Sequence, residues 1–319
     1  MKKVLCIGSV TTDVIIKPID NLPEPGQLLP IDTSEMFVGG CASNACIDLA
    51  KLGVPVSLAV KLGKDLFGNF VYDTCKANGV DVKGVVFDEN VQTTTSIVCV
   101  SSNGERSFLY NGGSTSALTE EDIPDEIIAD ADIVFLAGAL LTHGLDGEPA
   151  ARLFKRAKEM GKYTVMDTAW DATGRWMKGV EAALPYLDLF MPSIEEAEKI
   201  AGVSDFDGIA DVFFSKGVKN VIIKAGKQGA YIREGGKPGY FAPTYLSVKR
   251  VDTTGAGDSF CAGFLAGLAQ DKSYKESAKL GNAVGSHCIM ALGASTGIKP
   301  LADIYKFMEE HTDEVPLDD

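Results

Sequence analysis

The stretch VDTTGAGDSF, Val251 to Phe260, sets two aspartates around a loop with almost no side chains. Gly255, Ala256 and Gly257 leave the backbone N–H groups unobstructed. A helical pattern follows at once, with Phe260, Phe264 and Leu268 on one face. Free N–H donors and the partial positive charge of a helix N-terminus together make a hole for an anion. Asp258 stands in the first turn of that helix. It is either a carboxylate placed to take a proton from an attacking hydroxyl or one that only satisfies the helix dipole, and the residue types fit both.

Such a loop needs a rigid frame. Apolar runs rich in Val, Ile and Leu start at Val4, Val56, Asp132, Tyr163, Leu187 and Asn220, and they read as parallel strands buried on both faces. Amphipathic helices such as SNACIDLAKLG and PAARLFKRAKEMG lie between them, and both end on Gly. The alternation predicts an α/β fold, a doubly wound parallel sheet flanked by helices. Two segments break the rhythm, about 15–38 and 93–111, and Asn103-Gly104 gives the second a hairpin turn. They predict a small β-sheet lid inserted in a single domain spanning 1–319. The tail from Glu309 is acidic and is expected to fray.

Bulk properties narrow the partners. The net charge is −14, from 30 basic and 44 acidic residues. Such a surface repels a phosphate backbone, which argues against nucleic acid. No apolar run approaches the ~20 residues that cross a bilayer, and MKKVLCIGSVTTD fits a first strand better than a signal peptide. The seven cysteines form no C-x-x-C pair and sit mostly in apolar runs, as thiols do in a reducing cytoplasm. His143, His287 and His311 are scattered and offer no zinc spacing.

Asp252 through Phe260 resembles the C-terminal signature of the ribokinase-like (PfkB) carbohydrate kinases. Three further motifs resemble that family in its order: GSVTTD ending at Asp13, GGCASNACIDLAKLG from Gly39, and KAGKQGA from Lys224. The resemblance spans nearly the whole chain. It implies an ATP-dependent sugar kinase, in which a hydroxyl of a ribose- or fructose-like sugar attacks the γ-phosphate. Asp258 matches the general base, and the backbone of Gly255, Ala256, Gly257 and Asp258 matches the anion hole. Asp13, Gly39, Gly40 and Asn44 match the sugar site. Lys224, Gly226, Gly229 and Asn282 match the nucleotide site, with Mg²⁺ bridging the phosphates. Asp252 and Thr254, with backbone at Cys288, Ala291, Gly293 and Gly297, match a K⁺ site. The family also leaves room for a homodimer through the lid.

Two positions depart from the pattern. Gly297 stands where the ribokinase branch carries serine. Ser193 replaces the asparagine of the usual Asn-x-x-Glu, although Glu196 is in place, and the two also spell a capping box. A nucleoside kinase of the same fold is the alternative, because the second lid segment, with Arg106, Phe108 and Tyr110, could stack on a base or cover a furanose; Arg106 could also contact an acidic sugar or be a solvated hairpin residue. A catalytically silent sugar-binding protein fits less well, since Asp258 and its loop are intact. A dinucleotide-dependent oxidoreductase would need G-x-G-x-x-G after the first strand, where the sequence has GSVTTD.

Overall fold

The structure is a computed structural model that describes residues 1–313. Its strands, in chain order, are β1 Val4–Gly8, β2 Thr11–Lys17, β3 Thr33–Gly39, β4 Val56–Ala59, β5 Lys61–Gly63, β6 Val86–Asp88, β7 Thr95–Val100, β8 Arg106–Asn111, β9 Ile133–Ala139, β10 Tyr163–Thr168, β11 Leu189–Phe190, β12 Asn220–Lys224, β13 Ala230–Glu234 and β14 Tyr240–Ala242. Eight of them make one sheet in the order β14-β13-β12-β11-β10-β9-β1-β4. The strands from β12 to β4 in that order run parallel.

Alternation along the central strands explains the two-sided packing. Val4 and Cys6 of β1 and Ile133 and Phe135 of β9 enter one core, with the helices Cys41–Lys51, Ala256–Leu268 and Tyr274–Ile289. Leu5, Ile7, Val134 and Leu136 enter the other, with Glu148–Glu159, Ile194–Ala201 and Phe206–Ser215. Successive side chains point to opposite faces, so a strand buried on both sides must be apolar throughout. All residues of β1 and β9 are buried. The helices Cys41–Lys51 and Glu148–Glu159 are followed by Gly53 and Gly161, both left-handed, as their C-terminal glycines required.

The sequence reading differs from the structure at the sheet's far edge. Of the run beginning at Leu187, only Leu189 and Phe190 pair as a strand. Beyond β12 the sheet continues in two antiparallel strands, β13 and β14, that the periodicity did not announce. They are short, four of the eight residues lie outside the buried set, and so they lack the unbroken apolar run that marks the centre.

The two irregular segments build a separate sheet in the order β3-β2-β7-β8. The turn at Asn103-Gly104 closes β7 onto β8, with Gly104 N–H donating to the Ser101 carbonyl at 2.9 Å. All six residues of β8 are exposed. The seven cysteines are free thiols, six of them buried. Among the described residues no helix is long and apolar enough to cross a membrane. Glu309 and Glu310 of the acidic tail close the last helix, Leu301–Glu310, and residues 314–319 lie outside the described residues.

Candidate active site

The chain enters β4 on one side of β1 and later β9 on the other, so the strand order reverses between β1 and β9. A cleft of about 810 Å³ opens beyond the carboxyl ends of the parallel strands, where open α/β sheets place their ligands. Asp167 and Thr168 end β10, Ser193 follows β11 and Lys224 ends β12. All four line the cleft, together with Ala256, Gly257 and Asp258.

The anion loop is built as its composition requires. Gly255 has φ +77°, and a Cβ there would lie 2.5 Å from the Ala294 Cβ, so neither conformation nor space admits a side chain. The helix Ala256–Leu268 starts on it. The Ala256 and Ser259 amides donate to Thr253 and Gly255 carbonyls. The amides of Gly257 and Asp258 have no acceptor among the described residues, as the first turn of a helix leaves them.

Asp258 is held at this end of the helix by Asn44, whose Nδ2 donates to Oδ2 at 2.8 Å. Burial lifts Asp258 above the ordinary carboxylate range, against the Asn44 amide and the charge of Lys224. A base so raised is closer to the working pH. The Asn44 Oδ1 is buried without a partner. Asp13, at the same inner end of the site, is pushed up to about 6 by burial. Gly39 makes room for it, because a Cβ at 39 would fall 2.2 Å from Asp13 Oδ2. Gly40 carries the chain into the helix of Asn44. Asp13, Gly39, Gly40 and Asn44 are absent from the walls of the open cleft and meet it through the Asn44–Asp258 contact.

Along the outer wall, Gly226 and Gly229 flank a short turn after β12. Lys224 Nζ donates to Asp167 Oδ1 at 2.7 Å and lies against Gly257. Burial works against its charge, but the Asp167 carboxylate outweighs it and keeps the ammonium protonated. Ser193 and Glu196 form the expected capping box, and Glu196 Oε2 also accepts from Thr168 Oγ1 at 2.9 Å. Asn282 lines the cleft, yet its Nδ2 donates to the carbonyls of Ala242 and Pro243. It therefore braces the wall built by β14.

Three cleft residues escaped the sequence reading. Asp167 could have been found, since it ends a buried strand at the carboxyl edge where Lys224 also ends one. Cys41 lies beside Asp258 directly after the Gly-Gly pair. Trp170 is 53% exposed at the cleft wall, edge-on to Trp176 at 5.0 Å, and nothing in its neighbours' spacing marks it.

The divalent and monovalent ion sites fare differently. Among the described residues no cluster of three metal-ligating side chains occurs. Mg²⁺ keeps its waters and takes one or two carboxylates plus substrate phosphates, and Glu195 and Glu196 are the carboxylates in the cleft wall that would hold it. Of the K⁺ donors anticipated at Asp252, Thr254, Cys288, Ala291, Gly293 and Gly297, the Asp252 carboxylate and the Thr254 and Cys288 carbonyls are engaged otherwise. Asp252 Oδ1 accepts from the Thr254 amide and hydroxyl, Oδ2 from the Gly293 amide, and Arg106 Nη1 stands 3.3 Å away. The Cys288 thiol donates to the carbonyls of Thr254 and Ala294 at 3.2 and 3.1 Å. A Cβ at Gly297 would lie 2.2 Å from the His287 carbonyl oxygen, leaving no place for a serine. With the Asp252 carboxylate paired to Arg106 and the Thr254 carbonyl taken by the Cys288 thiol, the donors at the head of that set are not free for the cation.

Comparison with known proteins gives a consistent picture. Residues 1–300 match the family model described as pfkB family carbohydrate kinase. The chain is 28% identical over 297 residues to 2-dehydro-3-deoxygluconokinase of Bacillus subtilis (strain 168), covering 89% of this chain and 90% of that protein. It is 30% identical over 294 residues to fructokinase-1 of Oryza sativa subsp. japonica, covering 85% and 88%. Arabidopsis thaliana ribokinase, solved with ribose and ATP, superposes with a TM-score of 0.83 at 24% identity, over 96% of this chain and 98% of that one.

Proposed function

The chain belongs to the pfkB family of carbohydrate kinases, and on that premise we propose that it transfers the γ-phosphate of ATP to a hydroxyl of a small sugar, ribose- or fructose-like. ATP-dependent kinase activity toward sugars or nucleosides follows from the family; the acceptor is our reading. One observation carries it: a half-buried, hydrogen-bonded carboxylate, Asp258, stands in a helix first turn where the Gly257 and Asp258 amides are free. A carboxylate for the attacking hydroxyl and donors for the phosphoryl group meet there at one spot.

The acceptor hydroxyls would bond Asp13 and the unpartnered Asn44 Oδ1, which orients the reacting oxygen toward Asp258. Asp258 takes the hydroxyl proton as the oxygen–phosphorus bond forms, and the bond from the γ-phosphorus to the bridging oxygen of ADP breaks. The free amides of Gly257 and Asp258, with the ammonium of Lys224, face the charge that spreads over the transferring group. Mg²⁺ held by the phosphates near Glu195 and Glu196 would neutralise charge on the nucleotide. Gly226 and Gly229 let the backbone approach the nucleotide, and Asn282 steadies the adjoining wall at Ala242 and Pro243. The small sheet acts as a lid that excludes water.

A nucleoside acceptor is the alternative, favoured by Tyr110. It is half-exposed on β8 beside Asp13 and Cys41, where its ring could cover a base. An acidic acceptor contacting Arg106 is not supported, because Arg106 donates to Thr254 Oγ1 instead. Exposed Met36, Phe108 and Leu109 on the small sheet support pairing of two copies through it. The seven free thiols suit a reducing cytoplasm. An ADP-coupled screen of D-ribose, D-fructose, 2-dehydro-3-deoxygluconate and nucleosides tests the acceptor. Turnover confined to nucleosides would overturn the sugar reading.

A further inference from the structure

Asp252 is 8% exposed and opens the loop that presents the free amides to phosphate. A buried carboxylate needs a countercharge, and one aimed at a phosphate site would repel the ligand without it. Among the described residues, the one cationic side chain paired with Asp252 is Arg106, at 3.3 Å. The same Nη1 donates to Thr254 Oγ1 at 2.7 Å, and that hydroxyl in turn donates to Asp252 Oδ1 at 2.8 Å. Guanidinium, hydroxyl and carboxylate thus close a triangle on the loop. Burial works to raise Asp252, but the Thr254 and Gly293 amides, the Thr254 hydroxyl and Arg106 together hold it below the usual carboxylate range.

Arg106 is not part of the main sheet. It is the first residue of β8, the edge strand of the small sheet, and lies 148 positions from Thr254 in the chain. This contact therefore joins the element over the acceptor site to the element that binds phosphate. A rigid, permanently charged fork can hold a carboxylate and a hydroxyl together, which a hydrated point charge does less well.

We propose that Arg106 is a positioning residue for phosphoryl transfer: its guanidinium docks on Asp252 and Thr254 when the small sheet covers the acceptor, supplies the countercharge in place of a monovalent cation, and fixes the Gly257 and Asp258 amides for the incoming phosphate. The Cys288 thiol, bonded to the carbonyls of Thr254 and Ala294, fills the remaining side of the loop. Two consequences follow. Turnover is independent of K⁺, and acceptor binding improves the phosphate site by holding the small sheet down.

The idea rests on the kinase reading, so its test has one arm that does not need turnover. Initial rates with the best acceptor of the screen are compared in K⁺, Na⁺ and tetramethylammonium at constant ionic strength, for the wild type, Arg106→Ala and Arg106→Lys. The wild type is expected to vary by less than about twofold among the cations. Arg106→Ala should lose on the order of 10–10²-fold in kcat, as misplacement of a preorganised site does, with acceptor KM changed far less. Lysine should restore part of the rate, and millimolar guanidinium ion should restore part of it in Arg106→Ala, an effect a merely structural residue would not show. Independently, amide exchange over residues 252–258, measured with a non-hydrolysable ATP analogue and Mg²⁺, should be faster in Arg106→Ala. Strong activation of the wild type by K⁺ overturns the proposal. So does an Arg106→Ala protein with unchanged exchange in that loop, whether or not any acceptor is turned over. An absence of all phosphoryl transfer, with the exchange difference present, would count against the kinase reading alone.

Discussion

Asn44 donates from Nδ2 to Asp258 Oδ2 at 2.8 Å, joining two residues 214 positions apart across the packed helices Cys41–Lys51 and Ala256–Leu268. One end of the amide holds the base, and the other end, Oδ1, is buried without a partner. Leaving such an atom unpaired costs about 1–3 kcal/mol, a cost that an acceptor hydroxyl would remove.

Asn44→Leu should therefore weaken the acceptor by roughly tenfold or more, the equivalent of about 1.4 kcal/mol. It should also shift the acid limb of the rate profile. The lost donor favoured the charged form of Asp258, so its removal raises the pKa further and activity fails at a higher pH as acid is added. A profile of kcat against pH checks this, and an unmoved limb would separate Asn44 from the base.

Asp13 supplies a second titration. Burial raises it to about 6, so the folded protein holds this proton more tightly than the unfolded chain. Its contribution to stability is complete below the ordinary carboxylate pKa and is lost as pH rises through about 6. Acceptor hydroxyls donate to the charged form, so binding should release a proton near pH 5–6. Calorimetry in buffers of different ionisation enthalpy measures the release, and Asp13→Asn should abolish it.

Gly39→Ala probes the space behind that carboxylate. The added Cβ would fall 2.2 Å from Asp13 Oδ2 and 2.8 Å from its Cγ. The side chain must move, and the expected result is a raised acceptor KM with ATP binding unchanged. The two tryptophans, Trp170 and Trp176, allow ATP binding to be followed by fluorescence, since Trp170 lines the cleft.

Lys224→Met leaves Asp167 buried and unpaired. Loss of one partner of a buried pair typically costs about 3–5 kcal/mol. A lower denaturant midpoint and weaker ATP binding are both expected, and Asp167→Asn in the same chain should recover stability but not ATP affinity.

The frame and the chemistry differ in how openly the sequence displays them. Strands such as β1 and β9 are buried on both faces, so their composition announces them. The small residues around Gly255 point to an anion loop, but residue types alone leave the role of Asp258 open, and it is the ordered family motifs that single it out as the base. Ser193 and Glu196 read correctly as a capping box, since that contact is local. Contacts between distant residues stayed hidden. Arg106 looked like a solvated hairpin residue because its partner Asp252 lies across the fold. The K⁺ donor set looked plausible in outline because the sequence does not show where the Cys288 thiol points or how closely the His287 carbonyl approaches Gly297. Asn282 shared this limit: its position on the cleft was legible, but its bonds to Ala242 and Pro243 were not.

The most direct test of the account is transfer of labelled γ-phosphate from ATP to D-ribose, D-fructose, 2-dehydro-3-deoxygluconate or a nucleoside by the wild type and by Asp258→Asn. The account predicts a phosphorylated sugar from the wild type. The variant should bind ATP normally by tryptophan fluorescence and turn over more slowly by on the order of 10²–10⁴-fold, the range for loss of a general base. Near-normal turnover by Asp258→Asn would contradict the account.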